Sequence, residues 1–435
     1  MKALKIALIA ALVTLCLAPV FAGGGKDKDA AASGGKITIT LLDSFVPGES
    51  LTPAVESALK KFQAQYPNVT IEREVIANAD VPTKTQTLGP AGELPDVFTL
   101  KGQQSKTFVE NGWVLPLDEY LNADSGWKNS FKDGVFSNFT IGGKIYAVPY
   151  QVTNTCVYYN ETLFKANGIN SFPATWAEFV EVCKTLKAKG VTPIAFGNVG
   201  KWPAESAIMS TLGNRFTGDE WYQNIREGNG KAKWTDPEFV SALRALKELA
   251  DIGAFNSDIN SITDAQMRQM FMNGRAAMAI DGTWALGDFD ANAPADLLPN
   301  IKLAALPSVS GGKGKQNAIT GGAGWGYAVS AKVSPAKREI IGKFLEIMTN
   351  SVFGAEQAAT GSLTAVNPGN FTLPAKLVLT AKFDEFQKNR PFIPVYDHQL
   401  SSGTMEAMQS GLQNLFIGRV TPEALAAEIQ AGYSR

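Results

Sequence analysis

Gly143-Lys-Ile-Tyr-Ala-Val-Pro-Tyr-Gln-Val-Thr-Asn-Thr-Cys-Val-Tyr-Tyr-Asn160 decides the fold, because it holds two strand-like segments separated by a proline. Apolar residues alternate on both sides, as at Ile145 and Ala147 and again from Cys156, which is typical of β-strands. Pro149 lacks a backbone donor, so one continuous central strand through it is disfavoured. Two interpretations are open: an edge strand interrupted by the proline, or a crossing from one sheet to another.

The polar residues that follow Pro149 would lie between two domains if this stretch is a crossing. Ligand clefts form preferentially where two domains meet. Gln151, Thr153 and Asn154 are therefore early candidates for ligand contact. A slip of one residue in register would exchange the side chains that face the cleft.

The first residues of the chain have the composition of a secretory signal. Two lysines precede an apolar run, and small residues follow it. Pro19 ends this run short of the roughly 20 residues that a membrane span requires. We therefore expect residues 1–22 to be a signal peptide and residues 23–35 to be a flexible leader. Lipidation at Cys16 is the lesser alternative, because Leu15 stands where a lipoprotein signal has a small residue.

Size and charge narrow the class of protein. About 400 residues follow the leader. Because a single hydrophobic core usually supports fewer residues than this, two lobes are expected. Loss of the two signal lysines changes the net charge from −1 to −3. A chain with this charge lacks the excess of basic residues that is typical of nucleic-acid-binding proteins. The single histidine excludes multi-histidine zinc sites, and no phosphate-binding Gly-Lys-Ser/Thr motif occurs. We expect no cofactor and no metal.

Two cysteines remain beyond the signal, Cys156 and Cys183. An exported protein permits a disulfide between them. Cys183, however, has helical spacing with Phe179 and Leu186, which is typical of a buried apolar thiol. Two separate thiols in the core are therefore favoured over a bridge.

The chain beyond the leader opens with a β-α-β pattern. Residues 37–42 and 69–75 have strand character, a helix between them begins with Thr52 as N-cap and Pro53, and residues 94–100 give a third strand. This order argues for a parallel, doubly wound sheet, in which ligands lie beyond the carboxyl ends of the strands. The loops at those ends contain Asp43, Phe45, Glu49, Lys101 and Gln103.

Later segments repeat these signals. Thr-x-x-Glu at Thr175 and Thr-x-x-Gln at Thr263 are capping boxes that predict helix starts. Apolar strands that end in polar and aromatic residues recur at 278–284 and at 321–330, and the second is rich in glycine. Because both resemble the first stretch, we predict two further crossings there.

Three crossings between two α/β lobes are the connectivity of periplasmic binding proteins. A set of motifs occurs in order along the chain: Leu94-Pro-Asp-Val97, Gly112-Trp-Val-Leu-Pro-Leu117, Gly143-Lys-Ile-Tyr-Ala-Val-Pro149 with Tyr158-Tyr-Asn160, Pro173-Ala-Thr-Trp-Ala-Glu-Phe179, Phe271-Met-Asn-Gly-Arg-Ala-Ala-Met278 with Gly282-Thr-Trp284, and Thr360-Gly361-Ser-Leu363. Through these motifs the chain resembles, over residues 36–435, extracellular solute-binding protein family 1, the sugar-binding components of bacterial ABC importers related to maltose-binding protein. It departs from the family at Thr364, where many members have proline.

The resemblance implies an α/β, two-lobe periplasmic binding protein fold of type II, with a mixed sheet flanked by helices in each lobe. It places the first lobe at 36–149 and 281–324, and the second at 150–280 and 325–435. It also implies a monomeric periplasmic or extracellular receptor that closes on a mono- or oligosaccharide and delivers it to membrane permease subunits.

A sugar presents many hydroxyls and apolar C–H faces, so its site requires paired donors and acceptors together with aromatic rings. The crossings supply the leading candidates. A purely structural role is the alternative for each candidate, and we favour it for Asp43 and His398. The candidates are Asp281, Trp284, Trp325, Gln151, Thr153, Trp202, Asn198, Gly322, Asp43, Phe45, Glu49, Gln103, Ser362 and His398.

Two other functions remain open. A receptor for a non-sugar polyol or a glycerol phosphodiester would need cations in the cleft, and Lys101 and Lys201 are the nearby options. A secreted glycoside hydrolase would need two carboxylates, but hinge-like crossings have no evident use in such an enzyme. We therefore expect a binding protein without catalysis. The carboxylates in candidate loops are Asp43, Glu49, Glu93, Asp96 and Asp281.

Overall fold

Two separate β-sheets flank the proline at position 149. The computed structural model describes residues 36–433. The predicted signal peptide (1–22), leader (23–35) and Cys16 lie outside the described residues and stay predictions. Within that range, no helix combines the length and the apolar character needed to cross a membrane.

The strands are short and spread along the whole described chain. They are β1 (Ile37–Asp43), β2 (Val69–Val75), β3 (Val97–Lys101), β4 (Thr140–Ile141), β5 (Lys144–Ile145), β6 (Ala147–Pro149), β7 (Thr153–Asn160), β8 (Thr192–Ala195), β9 (Ala276–Gly282), β10 (Ile301–Ala304), β11 (Ile319–Gly322), β12 (Trp325–Val329) and β13 (Phe392–Ile393).

The α-helices cover the faces of the sheets. They are α1 (Thr52–Gln65), α2 (Val81–Ala91), α3 (Ser105–Glu110), α4 (Asp118–Ala123), α5 (Ser125–Ser130), α6 (Glu161–Ala166), α7 (Trp176–Ala188), α8 (Ser210–Glu227), α9 (Pro237–Asp251), α10 (Asp264–Met272), α11 (Leu286–Asn292), α12 (Pro335–Thr349), α13 (Ser351–Ala358), α14 (Val378–Gln387), α15 (Ser402–Phe416) and α16 (Pro422–Tyr433).

The first sheet has the order β2-β1-β3-β12-β6. Strand β1 is parallel to both β2 and β3, as the β-α-β pattern predicted. Strand β12 is antiparallel to β3 and to β6, so the sheet is mixed. Helices α1 and α12 meet on one face, where the rings of Phe62 and Phe344 contact each other edge to face at 5.2 Å. We call this sheet and its helices the first lobe.

The second sheet has the order β13-β11-β7-β9-β8, and β10 also pairs with β7. Strand β7 is antiparallel to β9, whereas β8 is parallel to β9, so this sheet is mixed too. Its core includes the fully buried Val157 and Trp234. This sheet and its helices form the second lobe, and the two-lobe α/β fold class expected from the sequence is confirmed.

The chain crosses between the lobes three times. Residues 150–152 connect β6 to β7, residues 323–324 connect β11 to β12, and the chain returns to the second lobe between Val366 and Leu379. The crossing expected at 278–284 is wrong, because α11 follows β9 and buries Phe289 in the second core.

The predicted division of the chain is therefore wrong beyond residue 280. Residues 281–324 belong to the second lobe, because β10 and β11 both pair with β7. Residues 325–366 belong to the first lobe, because β12 pairs with β3 and Phe344 and Val366 are buried in the first core. The crossing at 321–330 exists, but the chain passes through it in the opposite direction to the one expected.

Helix starts follow the local sequence closely. Thr175 and Thr263 each accept a hydrogen bond from the third residue of the helix that follows, and both capping boxes are complete. The N-cap predicted at Thr52 is wrong. Thr52 is the first residue of α1, and its hydroxyl donates instead to the Val46 carbonyl at 2.8 Å.

Both cysteines should be unreactive in the folded protein. Cys156 and Cys183 are free and buried, as predicted. Burial raises the pKa of both thiols, that of Cys183 to about 12, and the thiolate is the reactive form. We expect iodoacetamide to modify neither cysteine in native protein and both in guanidinium chloride, as measured by peptide mass spectrometry. Modification of either native thiol, or a peptide pair linked by a disulfide, would contradict this.

Candidate functional site

A cleft of about 1570 Å³ opens between the two lobes. The first lobe contributes the loop at 44–51, the start of α2 and the end of β3, and the second contributes the loop at 197–203, α10 and α15. This volume exceeds the roughly 300–1000 Å³ of most small-molecule pockets. The cleft therefore has room for an extended ligand.

Three tryptophans line this cleft, and they come from both lobes. Trp325, at the start of β12, is 8% exposed, and the Lys101 ammonium lies 5.5 Å from the centre of its ring. Trp202 and Trp284, on the second lobe, meet edge to face with their ring centres 5.4 Å apart. Aromatic surfaces are thus available to a ligand on both sides of the cleft.

Most of the residues predicted from sequence line the cleft. The first-lobe loop places Phe45 edge to face on Tyr150, with ring centres 5.1 Å apart, and the hydroxyls of Ser50 and Ser362 lie 3.2 Å apart. The predicted residues found on the cleft surface are Trp284, Trp325, Trp202, Gln151, Thr153, Phe45, Glu49, Gln103, Ser362 and His398.

Asp281, a leading candidate, does not line the cleft. It is 2% exposed, it accepts a hydrogen bond from the Gly282 amide at 2.8 Å, and it lies 3.5 Å from the Arg268 guanidinium. Burial raises the pKa of Asp281 to about 7, although Arg268 opposes this effect. A buried carboxylate requires such a partner, and the contacts of Asp281 lie within the second lobe.

Three other candidates also have structural positions. Asp43 is fully buried and accepts two hydrogen bonds from the Arg73 guanidinium, at 2.8 and 3.0 Å. Asn198 is fully buried, and its side-chain oxygen accepts from the Ala204 amide at 3.0 Å. Gly322 pairs with β7 in the second sheet. These three residues do not line the cleft; they lie behind the residues that do.

Acidic groups surround one arginine on the second-lobe side. The Arg268 guanidinium contacts Asp264 at 2.9 Å and Asp288 at 3.0 Å, in addition to Asp281. Glu49 lines the opposite side. Its pKa is raised to about 7, first by burial and then by the charge of Asp264. No set of histidine, cysteine and acidic side chains in residues 36–433 is arranged to hold a metal ion.

A buried ion pair joins the two lobes at the base of the cleft. Lys101, at the end of β3, contacts Asp397 of the second lobe at 2.5 Å. Burial opposes ionisation of Asp397, yet the Lys101 charge holds the pKa of this carboxyl below its usual value.

Burial lowers the pKa of His398 to about 4, so its imidazole is neutral at pH 7. A Cβ on Gly324 would lie 2.1 Å from that imidazole, so only glycine fits this crossing.

Sequence reasoning missed several charged residues of the cleft. The capping box at Thr263 places Asp264 and Arg268 four residues apart on one helix face, which could have indicated that α10 carries an ion pair. No local signal marks Asp397, because its role depends on a lysine 296 residues earlier in the chain. The missed cleft residues include Asp258, Asp264, Arg268, Asp288, Asp397 and Glu406.

Comparison with known sequences identifies related proteins. The sequence pattern described as bacterial extracellular solute-binding protein matches residues 48–352. The multiple sugar-binding protein of Streptococcus mutans is 26% identical over 337 residues, which cover 76% of each chain. An sn-glycerol-3-phosphate-binding periplasmic protein of Brucella melitensis is 27% identical over 248 residues, covering 55% of this chain and 54% of that protein.

Solved structures agree with this placement. A chitin oligosaccharide binding protein superposes with a TM-score of 0.84 at 26% identity, covering 92% of this chain and 98% of that one. A protein from a study of xylan utilization by Caldanaerobius polysaccharolyticus gives a TM-score of 0.80 at 29% identity, covering 91% and 99%. Maltose-bound T. maritima MalE3 is 20% identical, with a TM-score of 0.75 and coverage of 92% and 99%, and shows the shared fold alone. This chain belongs to the bacterial extracellular solute-binding protein family.

Proposed function

We propose that this protein is the extracytoplasmic receptor of an ABC importer and that its ligand is a neutral oligosaccharide. One observation carries the proposal: a cleft of about 1570 Å³ presents tryptophans from both lobes to the same space. The names of a Streptococcus mutans sugar-binding relative and of a chitin oligosaccharide binding protein support the carbohydrate class.

The size of the cleft and the positions of its aromatic rings favour more than one sugar unit. A pyranose ring stacks its C–H face on an indole, and Trp325 and Trp202 offer such faces on opposite lobes. Gln103, Gln151 and Thr153 lie among them, with groups that donate to and accept from hydroxyls. One monosaccharide would leave most of this volume to water.

The charge of the cleft favours a neutral ligand over a phosphate ester. Two of the three cations that line it are already paired, Lys101 with Asp397 and Arg268 with three aspartates, and the exposed third, Arg275, shares the cleft with six carboxylates. Phosphate recognition requires available arginine or lysine groups. The Brucella relative named for sn-glycerol 3-phosphate makes that ligand the natural competitor in a binding test. The carboxylates on the cleft surface are Glu49, Asp258, Asp264, Asp288, Asp397 and Glu406.

Closure requires no chemical step. A ligand that contacts both lobes binds the closed state better than the open one, and this difference shifts the population. We propose that the closed, monomeric receptor is what the membrane permease recognises, after export directed by residues 1–22. No catalytic role is proposed. Incubation with oligosaccharides should yield no new reducing ends, and their appearance would indicate a glycoside hydrolase instead.

The ligand class is tested by titration with a graded panel of chito-, xylo- and malto-oligosaccharides, with sn-glycerol 3-phosphate as the competitor. We expect at least one oligosaccharide series to raise the thermal midpoint and to reduce the radius of gyration in solution scattering, because closure compacts the two lobes. Binding of the phosphate ester alone, or of none of these ligands, would contradict the proposal.

Removal of an indole from either lobe should weaken binding. Trp325→Ala and Trp202→Ala each delete a stacking surface, and buried aromatic anchors commonly contribute about tenfold or more in affinity. Isothermal titration gives the dissociation constants. The matched control is Trp221→Ala, since Trp221 is a half-buried indole of the second lobe that stacks on Phe239, away from the cleft. Equal affinities in all three variants would show that the ligand binds elsewhere.

Affinity should fall as the pH rises through 7. The pKa of Glu49 is already raised to about 7, and closure would bury this carboxyl further against Asp264, beside Arg268 and Asp43. The closed state therefore favours the protonated form, so binding takes up a proton. We expect the dissociation constant to be larger at about pH 8 than at about pH 6, and we expect it to depend less on pH in Glu49→Gln. The same slope in wild type and variant would exclude Glu49 as the titrating group.

A further inference from the structure

The loop that carries Trp202 contains an unusual backbone conformation. Lys201 has a φ of 65°, the only positive φ at a non-glycine residue between positions 36 and 433. The Trp202 amide donates to the Gly200 carbonyl at 2.7 Å, which closes a three-residue γ-turn around Lys201. A γ-turn with positive φ is rare and strained, and such strain persists only where the surroundings hold it.

Several contacts hold this turn. The Lys201 amide donates to the Asn198 carbonyl at 3.0 Å, and the Asn198 side chain accepts from the Ala204 amide at 3.0 Å. The Lys201 ammonium donates to Glu406 at 2.9 Å and to Ser410 at 3.0 Å, both on α15. The turn is thus fixed at its base by an amide side chain and at its tip by a neighbouring helix.

The turn directs Trp202 onto Trp284. The two rings meet edge to face, at 68° between their planes. Trp284 in turn lies flat against Gly282, where a Cβ would approach its ring to 2.1 Å. We call Trp202 and Trp284 the aromatic corner. Each of its two rings is held by contacts within the protein.

We propose that Lys201 is a positioning residue that orders the aromatic corner before the ligand arrives. A residue confined to negative φ at this point would open the γ-turn and point Trp202 away from Trp284. A preorganised surface binds more tightly because the ligand need not order it. This inference rests on the proposed function in one respect, that the aromatic corner contacts the ligand.

The matched test compares Lys201→Asn with Lys201→Val. Both variants lose the ammonium contacts to α15, but asparagine tolerates positive φ whereas a β-branched residue does not. The first readout is circular dichroism without ligand, in which the coupled indoles give a signal assigned by subtracting the Trp202→Phe spectrum. The second readout is the dissociation constant for chitotetraose, or for xylotetraose or maltotetraose if only that sugar binds the wild type.

We expect Lys201→Asn to keep the coupled-indole signal and to bind within about twofold of wild type, and Lys201→Val to lose the signal and bind about tenfold more weakly. An unchanged signal in Lys201→Val, or an equal loss in both variants, would overturn the role of the turn. If wild type binds no sugar but the signal still follows this pattern, the proposed function fails while the positioning role is supported.

Discussion

The buried ion pair between Lys101 and Asp397 is the interaction on which the two-lobe arrangement depends. It is the point where the central strand of the first sheet touches the second lobe, and both residues are at most 8% exposed. Loss of one partner from such a pair leaves an uncompensated buried charge, which costs about 3–5 kcal/mol. Beside it the His398 turn packs on Gly324, within a crossing. A buried ion pair and a close contact with a crossing thus hold the two lobes together at this point.

The candidate residues around the cleft fall into two groups: some lie behind the cleft surface and support it, and others form that surface. Asp43, Asn198 and Asp281 have polar side chains, but each contacts a partner inside its own lobe. The indoles of Trp202, Trp284 and Trp325 lie in front of them on the cleft surface, although each also contacts a neighbouring side chain. This division explains why a carboxylate in a candidate loop is a poor predictor of ligand contact: burial decides which carboxylates are already paired.

Local signals predicted local structure well. The break at Pro149, the capping boxes at Thr175 and Thr263 and the parallel start of the first sheet all follow from short-range backbone and side-chain rules. Lobe membership beyond residue 280 was mispredicted, because it depends on whether β10 and β11 pair with β7, a contact between distant segments. Likewise, Trp284 and Trp325 were found as candidates from the glycine turns that precede them, whereas no local sequence signal identifies Asp397 as the partner of Lys101.

The position of β12 also constrains the order in which the protein can fold. This strand lies between β3 and β6, in the interior of the first sheet, although nearly 180 residues separate it from β6. A chain synthesised as far as residue 322 contains every strand of the second sheet except β13, while the first sheet still lacks the strand that joins its two parts. The first sheet therefore stays incomplete until about three-quarters of the chain has been made, and the core of the second lobe, which includes Leu412 and Ile429 of α15 and α16, is completed only after that.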